Sequence, residues 1–158
     1  MSSPAPRFIA DCMLGKLARW LRILGYDAAY DRAISDGDLV ARARAEGRIL
    51  LTRDTRLVLR RNMPRYLLVE SQDPPEQIRQ TMEAFGLKAD REGLLSRCIV
   101  CNLPTAEIPR EEARPEVPPY VFETQERFAR CPSCRRIYWR ATHVDDIVGR
   151  LEEFEPEG

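Results

Sequence analysis

Two groups of side chains in this sequence have the types and spacing of ligating or reacting centres. Cys98-Ile-Val-Cys101 and Cys131-Pro-Ser-Cys134 are Cys-x-x-Cys pairs, each able to form a tight turn that aims two thiolates at one point. Four thiolates complete a tetrahedral Zn²⁺ site with no open position, which makes such a site structural rather than catalytic. The 29 residues between the pairs, 102 through 130, exceed the usual finger spacing and imply a ribbon with a long insertion. The span around the cysteines offers little core of its own, so metal would supply much of its folding free energy. Two unrelated pairs of buried thiols, an iron–sulfur centre and a redox dithiol are the alternatives. Cys12 stands apart and reads as a small buried residue rather than a reactive thiol.

The second group is acidic. Asp11 follows the apolar run Phe8-Ile9-Ala10, and Asp54 follows Ile49–Thr52. If both runs are strands of one parallel sheet, their carboxyl ends share an edge, and ligands bind in the crevice there. Asp36 opens the next helical segment and falls on the same edge. Three carboxylates in one crevice repel one another, and a hard divalent cation, Mg²⁺ or Mn²⁺, relieves that repulsion. Such a centre activates water and stabilises the leaving oxygen in phosphodiester hydrolysis. The structural readings are also open: Asp54 can cap the helix after it, and Asp36 can complement a helix dipole. Asp38 pairs with Ser35 at capping-box spacing. The only histidine is His143, so a ribonuclease using two histidines as acid and base is excluded. No Walker-type glycine loop and no Gly-x-Ser-x-Gly elbow occurs.

Lys+Arg and Asp+Glu number 25 each, giving zero net charge and no global reason to expect a polybasic nucleic-acid binder. Only Lys16 and Lys88 are lysine, so 23 of the cations are arginine, the bidentate reader of phosphates and carboxylates. Lys16 and Arg19, with Arg22 on the flank, lie along one helical segment, and Arg53, Arg56, Arg60 and Arg61 surround Asp54. This rim could hold a polyanionic backbone, or be a solvated face with ordinary salt bridges. Arg130, Arg135, Arg136 and Arg140 beside Tyr138 and Trp139 combine charge and aromatics as single-strand binders do. Trp20 reads as core.

These groups must be positioned by ordered elements. Strands are expected at 7–10, 27–30, 49–52 and 66–69. Helices are expected from Met13 to a stop at Gly25, over 39–46 closed by Gly47, over 57–61, and over 74–85 closed by Gly86. Strands alternating with helices predict an α/β fold, a parallel sheet with helices on both faces. Five of the 12 prolines fall between the cysteine pairs, which predicts an irregular loop there. A strand over 137–140 and a helix over 145–153 complete the pattern. The expected division is residues 1–93 as the α/β domain and 94–158 as the zinc-ribbon domain with its tail. A hydrophobic content of 44% supports a real core. The opening MSSPAPRF lacks a signal-peptide core, and no run approaches a membrane helix, so a cytoplasmic protein without a membrane partner is expected.

FIADCMLGKLARWLRILGYDAAYDRAISDGDLVARARAEGRILLTRD, then RCIVC and RCPSCRRIYWRATH, closely resembles the Mut-seven C-terminal RNase domain family, PIN-like nuclease domains with a fused zinc ribbon. The resemblance covers roughly residues 7 to 147. It implies a PIN-like three-layer sandwich that cleaves RNA, single-stranded RNA being the expected partner, with a divalent metal on Asp11, Asp36 and Asp54. It implies that Thr52 orients the last acid and that Cys98, Cys101, Cys131 and Cys134 hold zinc. Related PIN-like chains often carry another acid two residues after the position of Asp54, where this chain has Arg56. Two other classes compete: a non-catalytic RNA- or protein-binding adaptor built on the ribbon, and a receiver-like phosphoacceptor, for which no lysine stands at a later strand end.

Overall fold

Short apolar runs form the four strands of the first sheet: β1 (Phe8–Ala10), β2 (Ala28–Tyr30), β3 (Ile49–Thr52) and β4 (Tyr66–Leu68). All pairings are parallel, in the order β2-β1-β3-β4. Every residue of β1 and β3 is buried, so both faces of the central strands are covered, as parallel sheets require. The two-residue alternation divides them. Phe8, Ala10, Ile49 and Leu51 pack with Leu17 and Leu21 of α1 (Gly15–Ile23) and Ile78 and Met82 of α3 (Pro74–Phe85). Ile9 and Leu50 pack with Leu39 and Ala43 of α2 (Asp36–Glu46). The result is three layers, each fully buried Leu or Ile contributing about 1.5–3 kcal/mol. The computed structural model describes residues 5–89, 93–94 and 96–140; His143 and the helix expected over 145–153 lie outside them.

The predicted elements appear with shifted ends. α1 starts later than its periodicity indicates because Cys12–Leu14 forms a 3-10 turn, capped by Asp11, whose Oδ1 accepts from the Met13 amide at 3.0 Å. The segment after Asp54 makes one 3-10 turn, Leu57–Leu59, instead of a helix to Arg61, since Arg60 is already extended. Ser35 caps α2 as its spacing predicts, its hydroxyl accepting from the Asp38 amide at 3.2 Å.

A second, antiparallel sheet follows, in the order β5-β6-β7: β5 (Ala106–Ile108), β6 (Phe128–Arg130) and β7 (Ile137–Tyr138). The expectation of an irregular, coreless loop over 102–130 is corrected. Between β5 and β6 lie α4 (Arg110–Ala113), a 3-10 turn at Arg114–Glu116 and α5 (Pro119–Thr124). Ala113, Val117, Val121 and Phe128 bury one another there, joined by Ile108, Phe122, Ile137 and Trp139. The prolines are helix starters: Pro109 and Pro118 stand at N-caps and Pro119 is the first residue of α5. At these positions the missing N–H costs nothing and the fixed φ is already helical.

Hydrogen bonds tie the cysteine-bearing part to the first sheet. Arg22 of α1 donates to the carbonyls of Ala28 and Ile99, both at 2.8 Å. Asn102 accepts from the Ala28 amide at 3.0 Å and donates to Asp27 at 2.6 Å. Asp27 also takes Arg48 at 2.7 Å; burial alone would raise its carboxyl, but the bonds from Arg48 and Asn102 outweigh it and hold it below the usual range.

Candidate active site and metal centre

In the order β2-β1-β3-β4 the chain moves from β1 to β2 on one side and then crosses back to β3 on the other, so the strand order reverses between β1 and β3, the switch point where α/β sheets open a crevice. The Asp11 amide donates to the Leu51 carbonyl at 2.9 Å, which carries the ladder one residue past β1 and brings Asp11 opposite Thr52. Their side chains meet: the Thr52 hydroxyl donates to Asp11 Oδ2 at 2.8 Å. The same hydroxyl accepts from the Asp54 amide at 3.0 Å. Thr52 is fully buried and Asp11 is 5% exposed. The Thr52 hydroxyl thus orients the Asp11 carboxylate and touches Asp54 only through its backbone amide, so the side chain that it orients is Asp11 rather than the last acid. Asp54 Oδ1 accepts from the amides of Arg56 and Leu57 at 2.9 and 3.2 Å, so the capping role open in the sequence is real. Its Oδ2 has no donor among the described residues.

Asp36 opens α2 and is exposed. A hydrogen bond to Asp11 and burial push the Cys12 thiol up, with smaller contributions from the charges of Asp11 and Asp36. Cys12 itself is exposed, not buried as its small size predicts, because the 3-10 turn after β1 rotates it outward. The three carboxylates are not drawn into one tight group. Among the described residues, only Cys98, Cys101, Cys131 and Cys134 bring three or more ligand atoms all within 4.8 Å of one another. Mg²⁺ keeps several waters and binds through one or two carboxylates, so the hard oxygen donors at this edge fit such an ion without a preformed cage.

The cations divide into two kinds. Lys16 and Arg19 are exposed on α1, as a substrate rim needs. Arg53 lies at the edge between β3 and β4, donating to the Glu70 carbonyl at 3.3 Å. The Arg60 guanidinium lies 3.8 Å from where a Cβ on Gly37, next to Asp36, would stand. In the ribbon the expectation of a basic, aromatic binding face is corrected in part. Arg130 is buried and paired with Glu116. Trp139 packs into the ribbon core with Phe128, and Tyr138 turns to the cysteines. Trp20 packs against the main core, as expected.

The four cysteines converge. Sulfurs about 2.3 Å from a tetrahedral centre stand about 3.8 Å apart, and Cys98 and Cys134 Sγ are 3.7 Å apart. The amides of Cys101 and Ser133 point at Cys98 Sγ and Cys131 Sγ, at 3.3 and 3.4 Å. The Tyr138 hydroxyl lies 2.9 Å from Cys98 Sγ. Burial pushes the Cys98 thiol up, but the Tyr138 hydroxyl and the amides of Cys101 and Val100 outweigh it and lower it to about 6. Burial and the thiols of Cys134 and Cys131 push Cys101 up to about 11. This donor set fits Zn²⁺ and leaves no open position for a substrate.

Sequence reasoning missed Gly15, Tyr30 and Asn102. A Cβ on Gly15 would stand 3.0 Å from the Tyr30 hydroxyl, which donates to the Cys12 carbonyl at 2.8 Å. No local signal carries a contact between positions so far apart in the chain. Asn102, at φ 59° just after the first cysteine pair, had one, since asparagine favours the left-handed region.

No helix of the described residues is long and apolar enough to cross a membrane. The sequence model of the Mut7-C RNAse domain matches residues 6–151. Neither a curated protein nor a solved structure matches the chain significantly.

Proposed function

The chain belongs to the Mut7-C RNAse domain family, and from that premise we propose that it is a metal-dependent ribonuclease hydrolysing RNA phosphodiester bonds at the crevice between β1 and β3. The observation that carries this reading is the buried Thr52 hydroxyl at the switch point, which holds the Asp11 carboxylate and the backbone of Asp54 at one strand edge. Asp11, Asp54 and Asp36 are the residues that would hold Mg²⁺ or Mn²⁺. The chemistry such an ion supplies is charge stabilisation at the scissile phosphate and activation of water.

The chain's own residues have distinct tasks. Thr52 fixes the Asp11 carboxylate, so its orientation needs no reorganisation when substrate arrives. The 3-10 turn after Asp54 takes one carboxylate oxygen and leaves Oδ2 toward solvent and substrate. Lys16, Arg19 and Arg53 hold the RNA backbone, and the four-cysteine centre holds zinc structurally. A cytoplasmic setting accompanies the proposal, supported by a four-thiol metal centre of the kind that reducing compartments preserve.

The test is cleavage of single-stranded RNA with added Mn²⁺ by wild type, Asp11→Asn and Asp54→Asn. Loss of cleavage in both variants, with folding intact, is expected; equal cleavage by all three removes these acids from the mechanism. One observation favours the second reading, an RNA-binding adaptor: the acids do not form a tight group. Calorimetric titration with Mn²⁺ separates the two, since an adaptor takes up no ion that Asp11→Asn abolishes.

A further inference from the structure

Where the cysteine-bearing part docks on α1, a groove of about 400 Å³ remains between them. Its walls carry Arg19 and Arg22 from α1, Tyr30 from the end of β2, Val100 from the first cysteine turn and Arg136 after the second. Three arginines line it and no acid does, in a chain whose charges sum to zero. Arg22 is committed to the carbonyls that hold the groove together. Arg19 and Arg136 are exposed, and neither has a carboxylate partner among the described residues.

The groove opens beside the acidic edge. Tyr30, which lines it, donates to the carbonyl of Cys12, the residue after Asp11. Gly15, at the start of α1, lines it as well. A larger cavity of about 590 Å³ lies at the opposite edge of the sheet and also has arginines. There Arg7 and Arg48 are paired with Asp27 and Arg48 with Glu46, while Arg44 and Arg65 have no carboxylate partner among the described residues, Arg65 lying over the Phe85 ring. What sets the groove apart is its place next to Asp11, with two exposed arginines from separate elements facing it.

We propose that this groove is a phosphate-binding subsite for the RNA backbone, in which Arg19 and Arg136 each neutralise one phosphate of a strand that continues over Tyr30 to the acidic edge. The inference rests on the ribonuclease reading for its ligand and extends it. The binding track is composite, half from α1 and half from the cysteine turns. The second turn supplies its cation, Arg136, from the residue pair that follows Cys134. Guanidinium groups suit this task because they pair with phosphate oxygens in a fork.

The experiment measures binding of a short, unstructured, fluorescently labelled RNA to the zinc-loaded protein by anisotropy, over a salt series without Mg²⁺ or Mn²⁺. Arg19→Gln and Arg136→Gln are each expected to weaken binding roughly five- to tenfold, and to lower the slope of log K against log salt by about 0.7 each. Arg42→Gln, which removes a surface pair with Glu46 on α2, is expected to bind as wild type does. Circular dichroism and zinc content establish that each variant is folded. Wild-type affinity and slope in the double variant Arg19→Gln/Arg136→Gln overturn the groove and Arg19 as a backbone contact, while leaving the role of the acids intact. Absence of RNA binding by wild type at low salt overturns both. Groove-dependent binding without cleavage in Mn²⁺ supports the groove and sinks the nuclease instead.

Discussion

Thr52 shows how much one hydroxyl can settle. It is fully buried at the end of a central strand, with its proton committed to Asp11 and its lone pair to the Asp54 amide. Thr52→Val keeps the shape but leaves a buried carboxylate short of one donor and an amide without an acceptor. The expected cost is about 1–3 kcal/mol in chemical denaturation, together with lower ribonuclease activity. Thr52→Ser retains the hydroxyl and is expected to recover most of both. A valine variant as stable and active as the serine one would show that the bridge has no role. The acids themselves were legible in the sequence because each ends an apolar run. The bridge was not, because it depends on β1 and β3 being neighbours in register, a fact about residues 11 and 52 that neither segment carries alone.

At the scale of elements, the alternation of apolar runs and helical periodicities was enough to give the layered parallel sheet. Helix ends were readable where a capping residue marks them, as at Ser35, Gly47 and Gly86. The insertion between the cysteine pairs was misread because proline density does not distinguish loops from helix starts, and three of the five prolines here, Pro109, Pro118 and Pro119, stand at α-helix starts. Gly25 marks a different junction. Its φ of 96° lies in the left-handed region, and a Cβ there would stand 2.5 Å from the Gly93 carbonyl oxygen. Gly25→Ala therefore combines backbone strain with a clash against backbone that cannot rotate away. A loss of about 1–3 kcal/mol is expected in thermal or denaturant unfolding. An alanine variant of unchanged stability would mean that the chain from Gly93 onward does not pack on the end of α1.

For the whole molecule, the zero net charge is a sum of local arrangements rather than a uniform surface. Asp27, Glu46, Arg7 and Arg48 neutralise one another at one edge of the sheet, and Arg130 with Glu112 and Glu116 does so in the ribbon. The four-cysteine centre adds a pH dependence. With Cys98 at about 6 and Cys101 at about 11 in the metal-free site, zinc binding at neutral pH must expel the Cys101 proton, whereas Cys98 is already largely thiolate. Apparent zinc affinity is expected to fall as pH is lowered from 8 to 7, and more steeply below about 6, where Cys98 also takes up a proton. Chelator competition across this range measures the effect. A pH-independent affinity would show that thiolates are not the ligands.

The insertion's private core has a consequence for the order of events during folding. Holding the ends of a structureless 29-residue loop together costs about 3 kcal/mol of chain entropy. Here the contacts among Ala113, Val117, Val121 and Phe128 span short stretches of chain, and β5 pairs with β6 from Ala106 to Arg130. Both thiol pairs are therefore brought to the same end of a small sheet by contacts that do not involve the ion. The ion is captured by a nearly finished claw instead of searching an open coil, so it can exchange without the ribbon coming apart.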